Sequence, residues 1–198
     1  MAPNAATAPV LIGMELDRLR LPVRIEVDRS LHQRREPSQF SAEAMSGYWV
    51  AVWRQEAPTI TSGEWERLSM RPTRRAKLVA LLGASSSTEF ARIESAGVSV
   101  YEASGPATEF DTPSVTVRAE LSGLTEIVIE PRWASTAQPF EIGHDILACV
   151  DEIRKQRPVF DESGQWAARS EDELESEVVQ HRSYLEGISQ LQKTFRWI

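Results

Sequence analysis

Val115-Thr-Val-Arg-Ala-Glu-Leu121 alternates apolar and polar residues, Ser122-Gly123 follows as a turn dipeptide, and Ile127-Val-Ile129 resumes the apolar run. A period of two broken by a glycine turn is the pattern of a β-hairpin with one buried face. From Phe140 the period changes. Ile142, Ile146, Val150 and Ile153 recur every three to four residues, which is one face of a helix, and Pro158 ends it. The switch of period within so short a stretch predicts a strand, strand, helix unit.

The same order is legible upstream, as strands over residues 10–16 and 23–27 and a helix over 40–55 with Met45, Trp49, Val52 and Trp53 as its apolar face. Phe40/Phe140, Val50/Val150, Arg54/Arg154 and Pro58/Pro158 recur at an offset of 100. Ser62-Gly63-Glu64-Trp65 answers Ser163-Gly164-Gln165-Trp166 at 101, and Ile25-Glu26-Val27-Asp28 answers Ile127-Val128-Ile129-Glu130 at 102. Conserved order with small shifts reads as an internal duplication interrupted by loop insertions.

Between the copies, a short helix is expected over 74–82 and a second one from the capping-box spacing Ser86…Glu89 to Gly97. A strand over 98–101 and a loop over 105–113 follow. Near the C-terminus, Leu174, Val178, His181, Leu185, Ile188, Gln192 and Phe195 form a 4-3 seam on a long helix, roughly residues 170–195, and such a seam needs a partner. The expected fold is α+β, two related ββα-containing halves with a long C-terminal helix. It divides into an N-terminal half (1–72), a second half (73–158) and a C-terminal turn and helix (159–198).

Composition restricts the function classes. The 198 residues are 41% hydrophobic and 26% charged, enough for a packed core and unlike a disordered chain. The single cysteine, Cys149, excludes an internal disulfide, and its apolar neighbours suggest burial in a protein of a reducing compartment. No basic leader and no apolar run of membrane-spanning length is present, so a cytoplasmic, membrane-free protein is expected. Charge is uneven: residues 1–78 carry 12 Lys+Arg against 9 Asp+Glu, whereas residues 79–198 carry 10 against 20. A mildly basic head joins an acidic body, and the total is −7.

From Thr73 to Arg157 the order is helix, strand, strand, strand, helix, with Leu124-Thr-Glu-Ile-Val-Ile-Glu-Pro-Arg-Trp133 leading through a polar loop into the last helix. In this stretch the chain resembles the YbaB/EbfC family of small bacterial proteins, whose third strand typically ends in an acidic residue followed by proline, as Ile129-Glu130-Pro131 does here. The first copy has the looser Val27-Asp28-Arg29-Ser30-Leu31. The resemblance implies a dimer, DNA binding of the nucleoid-associated kind in some members, and in others an accessory role in type VII secretion through protein contacts. It implies no catalytic residues. The duplication and the acidic C-terminal half depart from the family pattern and weigh against DNA binding, and a tandem copy would build the family's dimer within one chain.

No phosphate-binding glycine loop, nucleophile elbow or metal-ligand spacing is present, so neither catalytic residues nor a cofactor or metal is expected. His32, His144 and His181 are far apart, and His144-Asp145 reads as structural. Candidate anion or DNA contacts are Arg18, Arg20, Arg24, Arg34 and Arg35 around the first hairpin and Arg74, Arg75 and Lys77 at a helix start. Arg18, Arg20 and Arg24 could share a strand face, but Asp17, Glu26 and Asp28 are interleaved with them and no clean basic stripe results. The candidate partner or assembly surface is the C-terminal seam with its tail: Leu174, Val178, Leu185, Ile188, Phe195 and Trp197. The leading functional expectation is a non-enzymatic adaptor or chaperone-like accessory protein that binds a protein partner or its own copies, with nucleoid-type DNA binding as the alternative.

Overall fold

The computed structural model describes residues 10–63, 72–96, 99–160, 165–166 and 169–195. β1 (Ile12–Leu16) and β2 (Pro22–Val27) pair antiparallel, and β3 (Tyr101–Ser104), β4 (Val115–Glu120) and β5 (Gly123–Ile129) form a second antiparallel sheet in that order. The helices are α1 (Leu31–Arg34), α2 (Phe40–Thr61), α3 (Pro72–Gly83), α4 (Ser87–Ala96), α5 (Pro131–Ala134), α6 (Pro139–Gln156) and α7 (Glu171–Phe195). The fold class is α+β.

Two prolines show how context decides a helix end. Pro158 follows Arg157, whose extended backbone closes α6 as expected of a residue before proline. Pro58 instead lies inside α2, which runs on to Thr61, so the helix extends past the residue-55 end expected for it. Proline that near a C-terminus removes one intrahelical bond and leaves the rest intact.

The described chain groups into two compact units, residues 10–63 with 100–157 and residues 72–99 with 158–195. This corrects the division into three consecutive stretches. Residues 72–156 run as two helices, three strands, a short helix and a long one, and α3 and α4 pack with α7 within the second unit.

In the first unit each long helix holds both sheets. α2 packs on β1 and β5, and α6 packs on β2, β3 and β4. Ser41 Oγ and Tyr48 Oη accept the β5 amides of Ile129 at 2.9 Å and Leu124 at 3.0 Å, while Glu43 accepts the Leu11 amide at 3.1 Å. Arg154 reaches back from α6 to Asp17 at 3.2 Å and to the Pro22 carbonyl at 2.9 Å, and Asp145 accepts from Ser114 Oγ at 2.6 Å. The core between them contains Leu11, Phe40, Tyr48, Val117, Ile127, Ile142, Ile146 and Ile153. Gly123 is required twice over: its φ is +139°, and a Cβ there would lie 2.1 Å from Tyr48 Oη.

Roles in the two halves of this unit correspond at one offset, 102. Asp28 ends β2 and accepts the Ser30 amide at 2.7 Å, and Glu130 ends β5 and accepts the Trp133 amide at 2.6 Å. The capping boxes are Glu36…Gln39 and Gln138…Glu141, each with proline next in line. The inward faces are Phe40, Ala44, Gly47, Tyr48, Ala51 and Val52 on α2 and Ile142, Gly143, Ile146, Cys149, Val150 and Ile153 on α6, all buried, and all but Val52 and Gly143 match at this offset. The identities at offset 100 do not share environments: Phe40 is fully buried and Phe140 is 71% exposed. The matched Ser-Gly-x-Trp segments extend beyond the described residues.

In the second unit α3 and α4 clasp α7. Val79, Leu81, Leu82, Phe90 and Ile93 pack against Leu174, Val178 and Leu185. Half of the expected capping box forms at α4: Ser86 Oγ accepts the Glu89 amide at 3.2 Å, but Glu89 accepts the amide of Ser85, one residue before the N-cap, at 2.9 Å.

Candidate contact surfaces

The basic residues do not assemble into an anion site. Arg18 and Arg20 lie in the turn between β1 and β2, where Asp17 accepts the amides of Leu19 at 2.8 Å and Leu21 at 3.0 Å and Arg20 takes a φ of +58°, so only Arg24 stands on a strand. The shared strand face is thereby corrected: a turn, not a continuous strand, carries the first two. Arg20 pairs with Glu56, Arg24 with Glu26 at 2.5 Å, and Arg35 with Glu43 at 2.9 Å. Arg74 pairs with Glu171 at 2.7 Å and with Glu175, Arg75 donates to the Arg169 carbonyl at 2.7 Å, and Lys77 donates to the Glu94 carbonyl at 3.2 Å. Arg18 and Arg34 are exposed and carry no ion pair among the described residues. Exposed pairs contribute little stability, about 0–1 kcal/mol each, but a cation already facing a carboxylate offers less to a phosphate.

The C-terminal seam is spent inside its own unit. Leu174, Val178 and Leu185 are at most 7% exposed against α3 and α4, and Ile188 is half-buried. His181 Nε2 lies 2.8 Å from the Ala84 carbonyl just past the end of α3, and the Arg182 guanidinium lies over the Phe90 ring while pairing with Glu94. For Leu174, Val178 and Leu185 the helix partner that the seam requires lies in the same chain, in α3 and α4, so these three do not form a surface between copies. The side chain of Phe195, and Trp197, lie outside the described residues.

The outward face of α2 is different. Trp49 and Trp53, expected to point into the core, are 55% and 64% exposed. Inward positions are taken by Ala44, Gly47 and Ala51 beside Phe40 and Tyr48, because the helix lies too close to β1 for large side chains there: a Cβ on Gly47 would come within 1.8 Å of the Ile12 carbonyl oxygen. That crowding is readable as Ala and Gly at helical spacing, but the larger tryptophans dominate the periodicity. The Trp49 ring is held edge-on against Tyr48, with centroids 5.2 Å apart. Along the same outward stripe are Ala42, Met45, Ser46 and Val50, none charged. At offset 102 the corresponding α6 positions are His144, Leu147, Ala148, Asp151, Glu152 and Lys155. Asp151 pairs with Arg154 and Lys155 with Glu152, an ordinary solvated face.

Groups capable of chemistry are absorbed by the structure. Ser114 is buried and donates to Asp145, leaving His144 exposed beside it. His32 Nε2 lies 2.8 Å from the Ala134 carbonyl, joining α1 to α5. Burial, aided by the Asp145 carboxylate, pushes the Cys149 thiol up to about 11. Arg157 is 6% exposed and donates to the Leu121 carbonyl, with its Nε and Nη1 unpaired, and burial pulls its guanidinium below the usual arginine range. Among the described residues no cluster of three His, Cys, Asp or Glu side chains is placed to hold a metal ion, and no helix is long and apolar enough to cross a membrane. Compared with protein-family models, curated proteins and solved structures, the chain matches none.

Proposed function

We propose that the first unit is an internal duplication whose two halves form a pseudo-dimer in one chain, as the resemblance to the YbaB/EbfC family implies, and that the protein is a non-enzymatic adaptor or accessory factor. The observation that carries the second part is the pair Trp49 and Trp53 in water at positions where the counterpart helix has Asp151 and Lys155. Large rings left exposed forfeit roughly 1.5–3 kcal/mol for each side chain that could be buried, so a face retaining two of them on a stiff helix is suited to contact with protein. The nucleoid reading is the weaker one, since six of its eight candidate cations already engage carboxylates or carbonyls within the chain.

The test is affinity capture with the wild type and with Trp49→Asp/Trp53→Lys, which gives α2 the outward residues of its counterpart. The wild type is expected to retain a protein in stoichiometric amount, and the variant to release it. Retention of nonspecific duplex DNA at about 0.15 M salt, abolished in Arg34→Glu/Arg35→Glu and unaffected by the tryptophan changes, would replace the adaptor with the nucleoid reading.

A further inference from the structure

We propose that the outward stripe of α2 is a homotypic contact, in which two copies of this chain pack their α2 helices antiparallel with each tryptophan seated over a small residue of the other copy. The inference rests on the reading of that face as a protein-contact surface and names its occupant.

The stripe contains Ala42, Met45, Ser46, Trp49, Val50 and Trp53, all exposed or half-buried. A two-fold axis across α2 midway between Gly47 and Tyr48 sets Trp53 opposite Ala42 and Trp49 beside Ser46 of the second copy. Because the operation is two-fold, every pairing occurs twice, and one stripe supplies both the large residues and the seats that receive them. Large side chains facing small ones is the arrangement that lets helices approach and interdigitate.

Charge points to the same occupant. No residue of the stripe from Ala42 to Trp53 is charged; Glu43 beside it and Glu56, one turn past Trp53 on the same face, are held by Arg35 and Arg20, and the exposed Arg54 borders it. A second copy therefore brings no like charge onto the contact although the chain carries −7 overall. A strongly charged partner would find nothing on the stripe to pair with and would lose hydration on docking. The α6 counterpart, with Asp151, Glu152 and Lys155 outward, has no such self-matching.

The stripe is roughly 17 Å long at 1.5 Å per residue, too small for the ~800 Å² per partner of a standard stable interface. The contact is thus a reversible dimer that fills with concentration.

Sedimentation velocity over about 5–500 µM, the range in which so small an interface titrates, tests it. The wild type is expected to move toward twice the monomer mass, and Trp49→Asp/Trp53→Lys to stay monomeric with an unchanged melting temperature. Ser46→Trp fills the seat beside Trp49 and is expected to weaken the dimer by about tenfold or more. If Ser46→Trp associates more strongly, the stripe is an unspecific apolar patch and the proposal is overturned. A wild type that stays monomeric throughout also overturns it, and the contact-surface reading then stands only if a different protein is retained through Trp49 and Trp53. Should the tryptophan variant melt lower with no change in mass at any concentration, the chain itself covers the stripe and both readings fail.

Discussion

α2 and α6 do the same work inward and different work outward. Inward, each bridges the β1–β2 hairpin and the three-stranded sheet, and five of the six buried positions on each correspond at an offset of 102. Outward, α2 presents Trp49 and Trp53, and α6 presents Asp151 and Lys155. A buried face is constrained by the sheets it must fill, whereas a solvated face is free to diverge without cost to the fold. The difference between two such similarly placed helices is the basis for the contact surface proposed on α2.

The inward correspondence is not perfect: each helix has a glycine where the other has a side chain, Gly47 opposite Cys149 and Gly143 opposite Ser41. A Cβ on Gly47 would meet the Ile12 carbonyl oxygen at 1.8 Å, which is backbone and has nowhere to move, while one on Gly143 would meet Val27 Cγ2 at 3.2 Å and Ile25 no nearer than 3.6 Å. Gly47→Ala is expected to cost about 3 kcal/mol or more, or to prevent folding. Gly143→Ala is expected to stay within about 1 kcal/mol of wild type, because the better helix propensity of alanine offsets a small side-chain shift. Urea denaturation of both reads this directly, and equal costs would mean that the two helices approach their sheets alike.

A smaller effect belongs to Tyr48, whose hydroxyl accepts the buried Leu124 amide and donates to the Arg20 carbonyl at 3.3 Å. Its α6 counterpart, Val150, has no such duty. Tyr48→Phe should cost about 1–3 kcal/mol by leaving that amide unpaired. No loss of stability would show that α2 holds β5 by packing alone.

Cys149 sharpens the comparison kinetically, because it faces Val115 from the inward side of α6 where α2 has Gly47. With its pKa near 11, almost no thiolate exists at pH 8, so native protein should react with a disulfide reagent more than about a hundredfold slower than unfolded protein. Fast native labelling would place the inward face of α6 in water.

The smallest effect is a pH dependence shared by both halves. The Ser30 hydroxyl and amide hold Asp28 below the usual carboxylate range, and the Trp133 amide does the same for Glu130. A carboxyl whose pKa is lower in the folded state stabilises above its unfolded value and loses that contribution as pH falls through the folded one. Stability should therefore decline below about pH 4.5, and Glu130→Gln should flatten part of that decline in urea titrations. An unchanged profile in Glu130→Gln would remove the charged cap from the account of α5.

Much of this is legible in the residues. Ile142, Ile146, Val150 and Ile153 mark the buried face of α6 without ambiguity, since each is large, aliphatic and regularly spaced. The face of α2 is hidden from such a reading because its contact with β1 is made by small residues, and a hydrophobic pattern weighs Trp49 and Trp53 above Ala44, Gly47 and Ala51. Leu174, Val178 and Leu185 correctly signal a helix needing a partner, but not that α3 and α4 provide it, because the pairing joins residues about a hundred positions apart. Arg18 and Arg20 fall between the two expected strands, but their direction relative to Arg24 is set by the turn that Asp17 organises, which contains no glycine to announce it.

The most direct measurement sets one outward face against the other at equal protein concentration. Sedimentation velocity at about 500 µM would compare wild type with Trp49→Asp/Trp53→Lys on α2 and with Asp151→Ser/Lys155→Ser on α6. The α2 variant should lose the faster species and the α6 variant should keep it. If both variants sediment as the wild type does, or both lose the species alike, the outward face of α2 holds no function that α6 lacks.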